Sequence, residues 1–356
     1  MREVGIVSFA QSDCRVNRQH DMAEILAPVI RDALASARIE RSDVDFFVSG
    51  SHDFHEGRTF SYIESLDAVG AWPPISESHV EMDAAWALYE AWAWLQLGHG
   101  DIALVYGIGR GTLPVDLDQV APSMLDPYFL TPLRPHRHAL AGLQARALLN
   151  AGILSEEHSA ATVARCLAAA QHNPHALRSG EHRVADLLAQ PYVASPLRDL
   201  DIAPVGDAAA VMILAAGDRA RALSEAPVWI RAIDHRLDTH YPGNRDLTTS
   251  ATVRRAGQRA AELAGFGAES VDVAELHAEY SYVEPLLAAE LGLRGDVVLN
   301  PSGGPLAGAP TTATGLIRVG EAARRIAAGQ AQRALAHATS GPALQQNLIC
   351  LLEGER

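Results

Sequence analysis

Lysine is absent from the chain: all 29 basic side chains among its 356 residues are arginine. This excludes a Schiff-base aldolase, a pyridoxal enzyme and any nucleotide-binding loop that depends on its lysine. Cysteine is scarce. Cys14, Cys166 and Cys350 form no close pair and no CxxC, which argues against a disulfide framework or a zinc cluster and for a reducing, cytoplasmic setting. Positive charge is short as well, with 29 Arg against 43 Asp+Glu and a formal net charge of −14. Such a surface repels phosphate, so no nucleic-acid partner is expected. No window approaches ~18 uninterrupted apolar residues, so no membrane span is expected. The opening MREVGIVSFA lacks the apolar core and small-residue cleavage site of a signal peptide. Disorder is excluded by the 48% hydrophobic content, because a chain of this length buries roughly three-quarters of its unfolded surface.

Strand-like and helical runs alternate. Residues 4–9, 44–49, 79–83, 101–109 and 208–216 read as strands, with helical periodicity over 18–37, 84–97, 140–150 and 155–170. Residues 110–137, rich in Pro and Leu without period, read as a loop excursion. After Pro227 a second series begins. Strands are expected at 228–237, 271–276, 296–300, 333–338 and 347–352, with helices at 252–264, 283–291 and 314–328. The repeated order predicts a duplicated, layered α/β plan, with halves at 1–226 (carrying an excursion over 110–200) and 227–356.

Two places carry chemical signal. In HVEMDAAWALYEAW a strand runs into a helix, and a cysteine at such a first turn would be a low-pKa nucleophile. This chain has Ala84, Ala85 and Trp86 there, behind Asp83, which reads as an N-cap. The second is VAELHAEYSYVEP with the downstream LNPSGGPLAGAPTTATG. His277 falls at a strand end, where α/β sheets present ligand-facing groups. Tyr280 and Tyr282 stand at the entry to the next helix. Asn300, Ser302, Gly303 and Gly304 form a turn whose glycines allow close backbone approach to a ligand. His136 and His138 read as members of a solvated Pro-rich loop. GIGRG at 107–111 is followed by Thr-Leu-Pro rather than a helix and is not a dinucleotide fingerprint. Trp86 reads as core, or as a wall of an apolar ligand cavity.

Taken together these runs resemble the thiolase superfamily, in particular its bacterial sterol-carrier, or lipid-transfer, homologues. NPSGG at 300–304 with ATG at 313–315, ELHAEY at 275–280, YVASPLRDLDIAPVGDAAAVMIL and DIALVYGIGR follow in family order along nearly the whole chain. The resemblance implies a duplicated five-layered α-β-α-β-α fold, a dimer with itself or another thiolase-like chain, and an acyl-CoA substrate with no cofactor beyond that coenzyme A. In some homologues it also implies an OB-fold partner subunit. The departures are specific. Ala84 occupies the family's nucleophile position, Ala309 that of its GHP histidine, and Ser340-Gly341 lie where its acid/base cysteine falls. HDAF is altered to HAEY, and Thr311 and Thr312 stand where the family's aldolases carry tyrosines.

An acyl-enzyme needs a thiolate, and neither Cys166 mid-helix nor Cys350 inside a strand supplies one. Retro-aldol cleavage of a steroid- or lipid-derived hydroxyacyl-CoA needs neither cysteine nor lysine. His277 would act as base or enolate donor, with Tyr280 or Tyr282 as second proton-transfer group. Asn300, Ser302, Gly303, Gly304, Ser340 and Gly341 would position the thioester. The other readings are a catalytically silent subunit of a heteromer and an acyltransferase whose nucleophile lies elsewhere.

Overall fold

The computed structural model describes residues 2–17, 19–57, 59–70, 72–113 and 117–355. Its twelve strands are β1 (Val4–Gln11), β2 (Phe46–Gly50), β3 (Glu77–Val80), β4 (Ile102–Arg110), β5 (Tyr192–Ala194), β6 (Leu197–Arg198), β7 (Asp207–Ala216), β8 (Val228–Leu237), β9 (Val273–Leu276), β10 (Val298–Leu299), β11 (Arg333–Ser340) and β12 (Gln346–Gly354). β5 and β6 form a small separate hairpin. The other ten make one sheet in the order β10-β9-β11-β12-β8-β1-β7-β4-β2-β3.

Read outward from its middle, that order repeats. β1-β7-β4-β2-β3 on one side has the same succession as β8-β12-β11-β9-β10 on the other, and in each set one long strand (β7 or β12) runs antiparallel to its neighbours. The two sets are joined through β1 and β8 by only two residue pairs, Gly5↔Trp229 and Ile6↔Val228. The near-continuous apolar runs of β4 and β7 reflect burial on both faces.

Three clusters of buried side chains define the layers. The Ala84–Gln96 and Thr314–Ala327 helices lie in the middle, where Leu88, Leu95, Leu316 and Val319 pack between the two sets of strands. On the outer face of the first set, the Met22–Ala37 helix packs Leu26, Val29 and Ile30 against Leu104 and Ile213. On the outer face of the second, the Ala251–Ala264 and Val283–Leu291 helices pack Val253 and Leu287 against Leu335 and Ile349. The result is the five-layered α-β-α-β-α architecture. No helix among the described residues is long and apolar enough to cross a membrane.

Local signals account for the element ends. The first helix begins at Met22 rather than at residue 18, because Asp21 and Glu24 close a reciprocal capping box; Arg18 lies outside the described residues. Short helices at Asp53–Glu56, Tyr62–Val69 and Leu117–Ser123 fill stretches with no legible period. Trp86 sits in the central cluster and is not among the described residues lining the main cavity, so its reading as a ligand wall is corrected to core.

Candidate functional site

β9 delivers Leu276 to its end, and the chain then turns through His277, Glu279 and Tyr280 into the Val283–Leu291 helix. These three residues open onto a cavity of about 290 Å³. Its floor is polar, with Asp83, His277 and Glu279. Its roof is the excursion, with an apolar arc of Leu117, Val120, Pro122, Met124 and Leu125. Ser340 and Gly341 line another side, and Thr311 and Thr312 complete the wall.

The hydrogen bonds fix the direction of each polar group. The Thr339 N–H donates to His277 Nδ1 at 3.3 Å. A neutral imidazole then carries its proton on Nε2, which faces Glu279 Oε1 at 3.4 Å. Arg137 Nε donates to His138 Nε2 at 3.1 Å. His138 Nδ1 therefore carries the proton and donates to the Tyr280 hydroxyl oxygen at 3.0 Å, so the Tyr280 hydroxyl proton is left for a ligand. The cavity thus presents two donors, His277 Nε2–H and Tyr280 O–H, beside the Glu279 carboxylate.

Electrostatics separates the two carboxyl groups. Burial alone would raise the Glu279 pKa, but the hydrogen bond from His277 and the nearby His55 and His138 rings bring it below the usual carboxylate range. Burial pushes Asp83 up to about 6, against the opposing pull of His277 and the backbone N–H groups. Burial lowers His138 to about 4, helped by Arg137 and His136, and it also raises the Tyr280 phenol. Glu279 is thus an ionised base at neutral pH, beside a neutral His138 and a protonated tyrosine.

Asp83 combines two roles. Its Oδ1 accepts from the Ala85 N–H at 2.8 Å and its Oδ2 from the Gly315 N–H at 2.7 Å, so one side chain caps both central helices. It also faces the cavity. Ala84 is fully buried and is not among the described residues lining the cavity. Ala309 is likewise buried, its backbone held by Pro204 and Gly206.

Two expectations need correcting. Tyr282 does not share the site: it is buried in the outer core, and its hydroxyl donates to Gln144 Oε1 at 3.0 Å. The turn at 300–304 lies behind the cavity wall, because its polar atoms are already engaged. Asn300 Oδ1 accepts from the Leu276 N–H at 2.7 Å, and its Nδ2 donates to Glu284 at 2.6 Å. Ser302 donates through its N–H and Oγ to Glu275, and Arg318 Nη1 donates to both Glu275 and Ser302 at 2.6 Å. Gly303 has φ 91°, and a Cβ there would press on Ala170 and Ala307. Asn300, Ser302, Gly303 and Gly304 therefore brace the end of β9 and are not among the described residues lining this cavity.

Sequence reading missed Glu279, His52, His55 and the inward placement of His136 and His138. Glu279 has a usable signal, since it follows a strand-end histidine by two residues in the altered HAEY run. His138 has none, since its partner Tyr280 is 142 residues away. Among the described residues no group of three or more His, Cys, Asp or Glu is arranged to hold a metal ion. No thiol is among the described residues that line the cavity, and burial raises all three, Cys14 to about 12 and Cys166 and Cys350 likewise upward.

No protein-family model matches the chain. It is 25% identical over 344 residues to the acetyl-CoA acetyltransferase of Methanothermobacter thermautotrophicus, covering 90% of each chain. Among solved structures it is similar to an Ltp2-ChsH2(DUF35) aldolase, with TM-score 0.82 and 20% identity over 99% of this chain and 98% of the other. It is also similar to a monomeric SCP2-thiolase-like protein type 1 of Mycobacterium smegmatis, with TM-score 0.79 and 18% identity over 98% and 76%. A repeated five-strand order, a cavity at the strand ends and a likeness spanning nine-tenths of an acetyl-CoA acetyltransferase give this chain a thiolase-like fold, the fold it shares with the aldolase and the SCP2-thiolase-like structure.

Proposed function

We propose that the protein is a carbon–carbon lyase that cleaves a 3-hydroxyacyl-CoA by a retro-aldol step. The products are a ketone or aldehyde and a shortened acyl-CoA. The observation that supports this reading is the grouping of Glu279, His277 and Tyr280 at a cavity with no sulfhydryl among its described lining residues. The apolar arc of the excursion suits a bulky steroid- or lipid-derived acyl group.

Glu279 takes the proton of the substrate hydroxyl, and the oxygen's electrons form the new C=O. The bond between the second and third carbons breaks, and its electron pair passes into the thioester as an enolate. Tyr280 O–H donates to the enolate oxygen, where charge develops, and His277 Nε2–H turns to the same oxygen as Glu279 takes up the proton and loses its charge. The proton on Glu279 then returns to the second carbon. Atoms and charge balance with no oxidant, metal or thiol.

The test is release of the carbonyl product from a steroid or long-chain 3-hydroxyacyl-CoA. Iodoacetamide is expected to leave turnover unchanged, whereas sensitivity traced to one cysteine would restore the acyltransferase reading. Tyr280→Phe is expected to lower kcat by about 10²-fold, the usual effect of removing one oxyanion donor. Tyr282→Phe is expected to leave kcat unaltered and to cost about 1 kcal/mol of stability through its lost bond to Gln144, read by denaturant titration.

A second reading has its own support. The vacated positions at Ala84 and Ala309, and the likeness to the two-component Ltp2-ChsH2(DUF35) aldolase, suit a catalytically silent subunit of a heteromer with an active thiolase and an OB-fold partner. Under that reading the purified chain is inert alone and co-purifies with its partners.

A further inference from the structure

His52 and His55 belong to no step derived above, yet both line the cavity. They follow the end of β2, whereas His277, Glu279 and Tyr280 follow the end of β9. β2 and β9 hold equivalent places in the two strand sets, so the two groups converge on one space from opposite halves. The imidazoles stack at 4.4 Å between centroids and 21° between planes. Neither ring makes a side-chain hydrogen bond among the described residues; the nearest approach is His52 Nδ1 to Glu81 Oε1 at 3.8 Å. Nδ1 of each ring is sealed from solvent without a partner. A buried orphan N–H is rarer than a buried bare acceptor. For His55, which has no carboxylate beside Nδ1, this places the proton on Nε2, facing the cavity. His55 and Glu279 line the same cavity.

We propose that His55, held by its stack on His52, is a binding residue for the oxygen on the third carbon of the acyl group. The substrate class is thereby narrowed to thioesters oxygenated at that carbon. The inference rests on the lyase reading, in which Glu279 takes the proton of that same oxygen. The hydroxyl donates to Glu279 and accepts from His55 Nε2–H, so both its hydrogen-bonding capacities are used, and the forming carbonyl keeps the His55 contact after the proton has left. A thioester without that oxygen leaves both groups unpaired, the arrangement that gives strong discrimination.

The experiment measures binding rather than turnover. A 3-hydroxyalkyl-CoA thioether, with a methylene in place of the thioester carbonyl, keeps the hydroxyl but cannot form the enolate, so the retro-aldol step cannot consume it; the saturated alkyl-CoA thioether of equal length lacks the oxygen. Wild-type protein is expected to bind the 3-hydroxy probe at least tenfold more tightly by calorimetry. His55→Phe, which keeps a stacking ring, is expected to bring the two affinities within threefold without altering that for the saturated probe. His55→Gln, which keeps a donor near the Nε2 position, is expected to restore part of the preference and serves as the informative variant should His55→Phe fail to fold. Equal binding of the two probes by wild type, or an undiminished preference in His55→Phe, would overturn the inference. Cleavage of a 3-hydroxyacyl-CoA is scored separately: turnover without preference sinks this proposal alone, and preference without turnover sinks the lyase reading alone.

Discussion

Glu279→Gln is expected to lower turnover of a 3-hydroxyacyl-CoA by about 10²- to 10⁴-fold, the range lost with a general base, while KM changes little. The amide preserves the shape and the contact with His277 but cannot accept a proton. His277→Ala is expected to lose at least about 10²-fold, because it removes one enolate donor and the partner that holds Glu279 ionised. The pH profile carries an independent signature. Burial would raise the Glu279 pKa, but the His277 hydrogen bond and the His55 and His138 rings outweigh it, so the group titrates below the usual carboxylate range. The base form persists above that lowered pKa, so the Glu279 limb of kcat/KM is expected below the ordinary glutamate range, separate from any step near 6 that Asp83 contributes. In His277→Ala the acid limb is expected to move upward. Circular dichroism at each pH separates titration from unfolding. Full activity in Glu279→Gln would remove this residue from the mechanism.

Arg318→Met is expected to be the most damaging single change to stability, at about 3–5 kcal/mol, because it strands a buried charge. Glu275 is completely buried and Arg318 nearly so, and they pair at 2.6 Å. Burial raises the Glu275 pKa and Arg318 opposes it, so removing the guanidinium leaves a carboxyl that must protonate or draw in water. Ser302 would lose its Arg318 partner as well, loosening the brace behind β9 and with it the placement of His277. The double variant Glu275→Gln/Arg318→Met is expected to recover much of the loss, since a buried pair is worth less than the penalty for breaking it. Urea midpoints of the three variants decide the matter; equal losses in single and double variants would reject the coupling.

The strands and long helices are legible because their periods are set by burial alone. Residues 208–216 announce β7, and 314–328 the helix Thr314–Ala327, within a residue or two. His277 is legible for the same reason, because a polar group that ends an apolar strand leaves the sheet at its working edge. The polar turn at 300–304 misleads: nothing local says that Asn300 and Ser302 will be consumed by Glu284, Glu275 and Arg318, which arrive from other elements. Tyr280 and Tyr282 look interchangeable in sequence. The start of the Val283–Leu291 helix separates them, sending one hydroxyl to His138 in the cavity and the other to Gln144 in the core. His55 sits in, and His52 directly precedes, a four-residue helix too short to show any period.

The seam of the sheet has a consequence for biosynthesis. β1 takes its neighbours from β7 and β8, with Val4 opposite Ala216 and Gly5 opposite Trp229. A ribosome adding about 5–20 residues per second therefore needs roughly 10–40 s to deliver the first partner. Throughout that interval the nascent N-terminus carries a bare, apolar, hydrogen-bond-hungry ribbon, the segment on which a holdase chaperone would act.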